Sequence, residues 1–87
     1  MMTNVIYNQN GTATPVEYRN TYNEDALKDV LGCEKPVRLL TSKPGVCIVT
    51  SEEAYFDRKA RLNNRVLDEY GQTVFGNAFI VDLWRLV

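Results

Sequence analysis

The residues best suited to chemistry are concentrated in one basic, amide-rich segment, Arg58 to Arg65. Four of the ten basic residues of the chain lie within these eight positions, and the segment contains no acid. The remaining six basic and eleven acidic residues leave the rest of the chain with a formal charge of −5. Any attraction for an anion is therefore local to this segment.

The side chains of the segment suit a nucleotide-like ligand. Arginine presents a planar fork that matches phosphate or carboxylate, and asparagine amides pair with a base edge or a peptide group. The predicted ligand-binding residues are Arg58, Lys59, Arg61, Asn63, Asn64, Arg65 and the nearby Tyr55. The alternative is a solvated basic face, in which Asn63 and Asn64 form a turn and Arg65 tethers the loop to backbone carbonyls or a carboxylate.

The sequence lacks the residues and motifs that most enzymes use for catalysis. It contains no histidine, the commonest general base and metal ligand, and no glycine-rich phosphate loop. Three pairs of adjacent acids could serve a metal or acid–base site, but two suit helix N-termini and the third suits a turn. These are Glu24-Asp25, Glu52-Glu53 and Asp68-Glu69. We therefore predict binding without catalysis, and no metal or cofactor.

Size and composition predict one folded domain spanning residues 1–87. No apolar run is long enough to cross a bilayer and the N-terminus has no secretory pattern, so we expect no membrane partner and a cytoplasmic location. In that compartment Cys33 and Cys47 are expected to be reduced and in or near the core. A net charge of −1 argues against a general nucleic-acid ligand.

The elements that position the basic segment begin with a predicted hairpin. Val5 to Tyr7 forms its first arm, Asn10-Gly11 its turn, and Thr12 to Tyr18 its second arm. Pro15 removes a ladder donor, which favours an edge position for the second arm.

A helix is predicted from Glu24 to Leu31, because Asn23 is a preferred N-cap residue and Gly32 a preferred C-cap residue. Its apolar residues form one stripe, as expected for packing on a sheet. Val37 to Thr41 and Val46 to Thr50 form a central hairpin, and the second strand is apolar enough to be covered on both faces.

From Ser51 to Tyr70 the periodicity is poor, and we predict an irregular segment apart from a short helix through Phe56. Asp68 to Gly71 is expected to close it as a turn, and Ala78 to Trp84 to form the last strand. The predicted fold is α+β, an antiparallel sheet of about five strands with one main helix on one face. Phe79 and one of Tyr70 or Phe75 are expected in the core.

The C-terminal tail is largely apolar, and a small monomer would bury it with difficulty. We predict that Trp84 and Leu86 form a self-association interface, which makes the protein a homo-oligomer. The alternative is a simple edge strand.

Several of these elements together resemble domain of unknown function family 3846. The resemblance rests on the Leu31-Gly32 helix end, the central hairpin, Leu62 to Gly71 and Gly76 to Val81, and covers roughly Val16 to Asp82. Its most specific element is Asn64-Arg65 followed by a glycine-led terminal strand. Members usually have a proline in the residues that lead to the Asn-Arg pair, where this chain has Arg61-Leu62-Asn63.

The resemblance implies an accessory protein of a phage or mobile element in a bacterial host cytoplasm. Together with the basic segment, it favours a counter-defence protein that sequesters or blocks a host factor, with a nucleotide-derived immune signal as the favoured ligand. The alternatives are a protein–protein inhibitor of a host defence enzyme and a nucleic-acid-associated accessory protein.

Overall fold

The computed structural model describes residues 3–57 and 60–87, within which the chain forms a five-stranded sheet. The strand order is β2-β1-β5-β4-β3, and every neighbouring pair is antiparallel. The strands are β1 (Val5–Tyr7), β2 (Ala13–Pro15), β3 (Pro36–Leu40), β4 (Val46–Ser51) and β5 (Ala78–Asp82). The predicted α+β class and antiparallel sheet are confirmed.

Three α-helices accompany the sheet in the described residues: α1 (Glu24–Leu31), α2 (Glu52–Asp57) and α3 (Asn64–Tyr70). The first is the predicted main helix. The Asn23 side chain accepts a hydrogen bond from the Ala26 N–H at 2.9 Å, and Gly32 ends the helix in the left-handed conformation with φ 62°. None of the described helices is long and apolar enough to cross a membrane.

The sheet is covered on both faces. On one face α1 packs through Leu27 against Val49 and Phe79, and the Tyr22 ring meets Phe79 edge-on with centroids 5.2 Å apart. On the other face α3 and the loop after it cover Tyr7, Ile48 and Ile80 with Val66, Tyr70 and Val74. As predicted, Phe79 and Tyr70 are core residues and β4 is buried from both sides.

The structure corrects the prediction that Ser51 to Tyr70 is irregular. The short helix ending near Phe56 is present as α2, but Asn64–Tyr70 is also helical. Asp68 to Gly71 is accordingly the last turn and C-cap of α3 rather than an independent turn. Helix α3 has only seven residues, and only Val66 and Tyr70 are buried. Two buried positions are too few to give a detectable apolar period in the sequence.

Two predicted strands are shorter than expected. The strand starting near Thr12 ends at Pro15 instead of Tyr18, because its partner strand begins at Val5 and the preceding residue, Asn4, has a left-handed φ of 59°. Val16 still donates to the Asn4 carbonyl at 3.1 Å. The last strand ends at Asp82 instead of Trp84, and a 3-10 turn, Leu83–Arg85, follows.

Both cysteines are free thiols. Cys47 is buried and Cys33 half-buried, and burial raises the pKa of each. This agrees with the predicted core or near-core location.

Gly76 holds the loop before β5 close to α2. It has φ +85°, and a Cβ added there would lie 3.1 Å from the Ala54 Cβ and 3.4 Å from the Ala60 Cβ. We predict that Gly76→Ala lowers the free energy of unfolding by about 2 kcal/mol or more, because the strained backbone and the contact with Ala54 add. Urea denaturation measures the change.

The matched control is Gly32→Ala, where φ is also positive but an added Cβ meets nothing within 4 Å. Gly32→Ala should lower the free energy of unfolding by about 1 kcal/mol, which is the backbone penalty alone. Equal losses at the two positions would show that the packing of α2 against Gly76 is unimportant.

Candidate functional site

Most of the predicted binding residues meet at one end of the sheet. Tyr7, Ala78 and Thr50 are paired across β1, β5 and β4 there. Helix α2 follows β4 at this end, and residues 60–63 lead from there into α3. Tyr55 lies on α2, while Arg58 and Lys59 lie outside the described residues.

Asn63 is a framework residue. It is fully buried, and its side-chain oxygen caps α3 by accepting the Val66 N–H at 3.2 Å. Its amide group donates to the carbonyls of Tyr7 and Gly76, each at 2.8 Å. The prediction that Asn63 contacts a ligand does not fit a side chain that is fully buried and hydrogen-bonded within the fold.

Arg65 is held against the sheet by its neighbours. Its Nε lies 3.6 Å from Glu69 Oε1, and its guanidinium lies 4.5 Å from the centre of the Tyr7 ring. The Tyr7 hydroxyl donates to Glu69 Oε2 at 2.6 Å. Burial, followed by the hydrogen bond and the charge of Glu69, raises the pKa of Tyr7 to about 12. Arg65 thus matches the alternative interpretation of a tether to a carboxylate, although its side chain stays one third exposed.

Arg61 and Asn64 are the exposed members of the basic segment among the described residues. The Arg61 backbone is fixed, since its N–H donates to Gln9 Oε1 at 3.3 Å and its carbonyl accepts from the Gly76 N–H at 2.8 Å. Within the described part of the chain, no hydrogen bond or ion pair engages the Arg61 guanidinium. The structure therefore presents this cation from an anchored backbone.

An aromatic cleft of about 370 Å³ lies beside the basic segment. It is lined by Tyr55, Phe56, Thr73 and Phe75. The Tyr55 and Phe56 rings meet edge-on with centroids 5.1 Å apart, and Phe56 is 66% exposed. A β-bridge between Leu62 and Phe75 brings the loop after α3 next to the segment. The sequence indicated Tyr55 alone, because the other three residues have no local signal for a site.

A second, larger cleft of about 650 Å³ shares Phe56 with the first and lies between the end of α1 and the start of α2. Its walls are residues 31–35 together with Ser51, Glu52, Glu53 and Phe56. The walls of this larger cleft therefore carry three acids, Glu34, Glu52 and Glu53, against one base, Lys35, and include none of residues 60–65. Among residues 3–57 and 60–87, no group of three or more histidine, cysteine or acidic residues could hold a metal ion.

The C-terminal tail lies at the other end of the sheet. Trp84 is 69% exposed, as a contact surface requires. Leu86 does not fit its predicted role, because it is half-buried against the α1 face and bridges to Tyr22. Arg85, which the sequence did not indicate, is placed between the rings of Tyr18 and Trp84, 4.5 and 4.3 Å from their centres.

No family model matches the chain, and neither a curated protein nor a solved structure is significantly similar to it. What the structure defines is a small α+β protein whose five-stranded sheet carries paired clefts at one end. The resemblance to domain of unknown function family 3846 stays a prediction.

The contacts of Asn63 predict that it stabilises the fold and that Asn64 does not. Asn63→Ala should lower the free energy of unfolding by about 3 kcal/mol, because it removes the cap of α3 and leaves two carbonyls without their donors. Asn64→Ala, at an exposed position, should change it by less than about 0.5 kcal/mol. Urea denaturation of the two variants gives the comparison, and similar losses would refute the structural role assigned to Asn63.

Proposed function

We propose that this chain is a non-enzymatic accessory protein of a phage or mobile element that acts in the bacterial cytoplasm and sequesters a nucleotide-derived signal of host defence. The observation that carries the proposal is the aromatic cleft beside the basic segment. The resemblance stated above supports the biological setting.

The cleft has the two components that nucleotide binding requires. Exposed aromatic rings stack on bases, and each stacked base contributes about 1–3 kcal/mol. Phe56 provides an exposed ring and Tyr55 a half-buried one, and a volume of about 370 Å³ is within the range of small-molecule sites. Arg61 supplies a guanidinium for phosphate from the adjoining loop.

Binding without turnover is proposed because the residues near the cleft are poorly equipped for catalysis. The chain has no histidine to act as a general base. Cys33 lines the larger cleft, but burial raises the pKa of its thiol. The thiol is therefore held in its less nucleophilic, protonated form.

Isothermal titration with cyclic dinucleotides and with ADP-ribose tests the proposal. At least one of these compounds should bind, and Arg61→Ala and Tyr55→Ala should each weaken that binding by about tenfold or more, because they remove a phosphate contact and a stacking ring. Arg19→Ala is the matched control, since Arg19 is also exposed but lies before α1. The Arg19→Ala variant should bind the nucleotide with the same affinity as the unmodified protein.

Two outcomes would overturn the proposal. One is the absence of heat with every compound at saturating concentration. The other is tight binding to DNA that collapses as salt rises to the physiological range, which would favour the nucleic-acid-associated alternative.

A second surface supports self-association or the inhibition of a host defence enzyme. Trp84 and Tyr18 are 69% and 63% exposed, and Arg85 lies between them. Arg85 is itself fixed by Asp82 at 3.2 Å and by the Arg19 carbonyl at 2.9 Å. Rigid tryptophan, tyrosine and arginine side chains dominate the energetics of protein interfaces, because little entropy is lost when they are buried.

If this surface mediates self-association, Trp84→Ser should raise the dissociation constant of the oligomer by at least about tenfold. Light scattering coupled to size-exclusion chromatography measures the mass across a concentration series. Phe56→Ser is the matched control, because Phe56 is 66% exposed but follows the opposite end of β4. A monomer mass for the unmodified protein at every concentration would leave only a foreign partner for this surface.

A further inference from the structure

The outer strand β3 directs backbone groups away from the rest of the sheet. It is the last strand in the order β2-β1-β5-β4-β3 of the described chain. The Glu52 N–H donates to the Lys35 carbonyl at 2.8 Å, so the backbone of Lys35 faces β4. Residues of an antiparallel strand alternate between its two sides. The backbone groups of Pro36, Arg38 and Leu40 therefore point to the open edge.

Two groups of this edge are not available for pairing. Pro36 has no N–H to donate, and the Leu40 carbonyl already accepts from Gln72 Nε2 at 2.7 Å. The Pro36 carbonyl, both backbone groups of Arg38 and the Leu40 N–H have no recorded partner in the part of the chain that the structure describes. The edge thus presents two donors and two acceptors in the pattern of a β-ladder.

We propose that β3 pairs antiparallel with β3 of a second copy, so that two five-stranded sheets form one continuous sheet across a two-fold axis at Arg38. The Arg38 N–H and carbonyl of each copy bond to those of the other, and each Leu40 N–H donates to the Pro36 carbonyl opposite. The missing Pro36 N–H then faces the carbonyl that Gln72 occupies, so no group of the edge is left over. This dimer uses neither the aromatic cleft nor Trp84.

The side chains match in the same register. Leu39 packs on the α3 face of the core, and Val37 lies on the same side of the strand. Both are half-buried, and across the axis each lies opposite the other, which gives two apolar cross-strand pairs. On the other side of the strand Leu40, which is 72% exposed, covers Pro36 of the second copy.

The neighbouring registers lose hydrogen bonds. A shift that sets Arg38 opposite Leu40 requires the occupied Leu40 carbonyl, and a shift that sets Arg38 opposite Pro36 leaves the Arg38 carbonyl without a donor. The proposed register has one cost, because two arginines face each other. That repulsion is limited, since Arg38 is solvent-exposed and its Nη2 donates to the Val87 carbonyl of its own chain at 2.8 Å.

Proline and cations on an edge strand commonly protect it from pairing. Protection does not account for β3, because the N–H groups of Arg38 and Leu40 stay open and an exposed leucine stands between them and the end of the strand. A foreign strand would meet the same open groups. It would need a proline in the matching place to face the occupied carbonyl without losing a hydrogen bond, and β3 itself carries that proline.

Amide hydrogen exchange followed by NMR, together with light scattering across a concentration series, tests the pairing. The unmodified protein should pass from monomer to dimer, and the Arg38 and Leu40 amides should exchange at least about tenfold more slowly in the dimer. The Leu39 amide faces β4 and is the internal control, protected at every concentration. A monomer throughout, or a dimer without slowing at Arg38 and Leu40, would refute the inference.

Two substitutions of Arg38 should act in opposite directions. Arg38→Pro removes the central donor but spares the ladder to β4, so the dissociation constant should rise by about tenfold or more. Arg38→Ala keeps the N–H and removes the repulsion, so the dimer should be at least as tight as the unmodified one. Trp84→Ser should leave it unchanged. Loss of the dimer in Trp84→Ser but not in Arg38→Pro would assign self-association to the C-terminal tail instead.

A charge swap tests the register without proline. In an equimolar mixture of Arg38→Glu and unmodified protein, native mass spectrometry should find about three quarters or more of the dimers mixed, because opposite charges then face each other. The matched control is Arg19→Glu, an exposed position outside β3, whose mixture should contain the half expected of random pairing. Random pairing with Arg38→Glu as well would contradict a two-fold axis at Arg38.

Discussion

The buried amide of Asn63 is the interaction on which the rest of the candidate site depends. One side chain caps α3 and donates to the carbonyls of Tyr7 and Gly76, so it joins a helix, a strand end and the loop before β5. A buried polar group costs free energy unless it is paired, so the arrangement is stable only when all three elements are in place. Gly76 in turn bonds to the Arg61 carbonyl, which connects this anchor to the exposed cation.

The parts of the fold that were predictable are those whose signals are local. Helix α1 has an N-cap, a C-cap glycine and an apolar stripe within ten residues, and β4 is a continuous apolar run. Helix α3 has the same two caps, Asn63 and Gly71, yet it was missed. Its first turn carries no acid, and its only two buried positions give no period, so the helix depends on tertiary packing rather than on its own sequence.

The candidate site was predictable only by residue type. Arginines and a tyrosine identified Arg61 and Tyr55, but nothing near Thr73 or Phe75 indicates that the loop after α3 would form a cleft wall with them. That contact arises from the bridge between Leu62 and Phe75, thirteen residues apart in sequence. Asn63 was predicted to bind a ligand, because an asparagine amide suits a ligand as well as it suits a helix cap. Its complete burial, which the sequence does not reveal, separates the two roles.

The structure also changes the meaning of the basic segment. Counted along the chain it carries a charge of +4, but Glu69 lies one helical turn after Arg65 and pairs with it at 3.6 Å. That arginine is therefore largely compensated in space. Within residues 60–65 of the segment, Arg61 is the cation for which the structure records no ion pair or side-chain hydrogen bond. In the proposed nucleotide site, stacking in the aromatic cleft would therefore supply part of the affinity, and the Arg61 guanidinium would orient the phosphate.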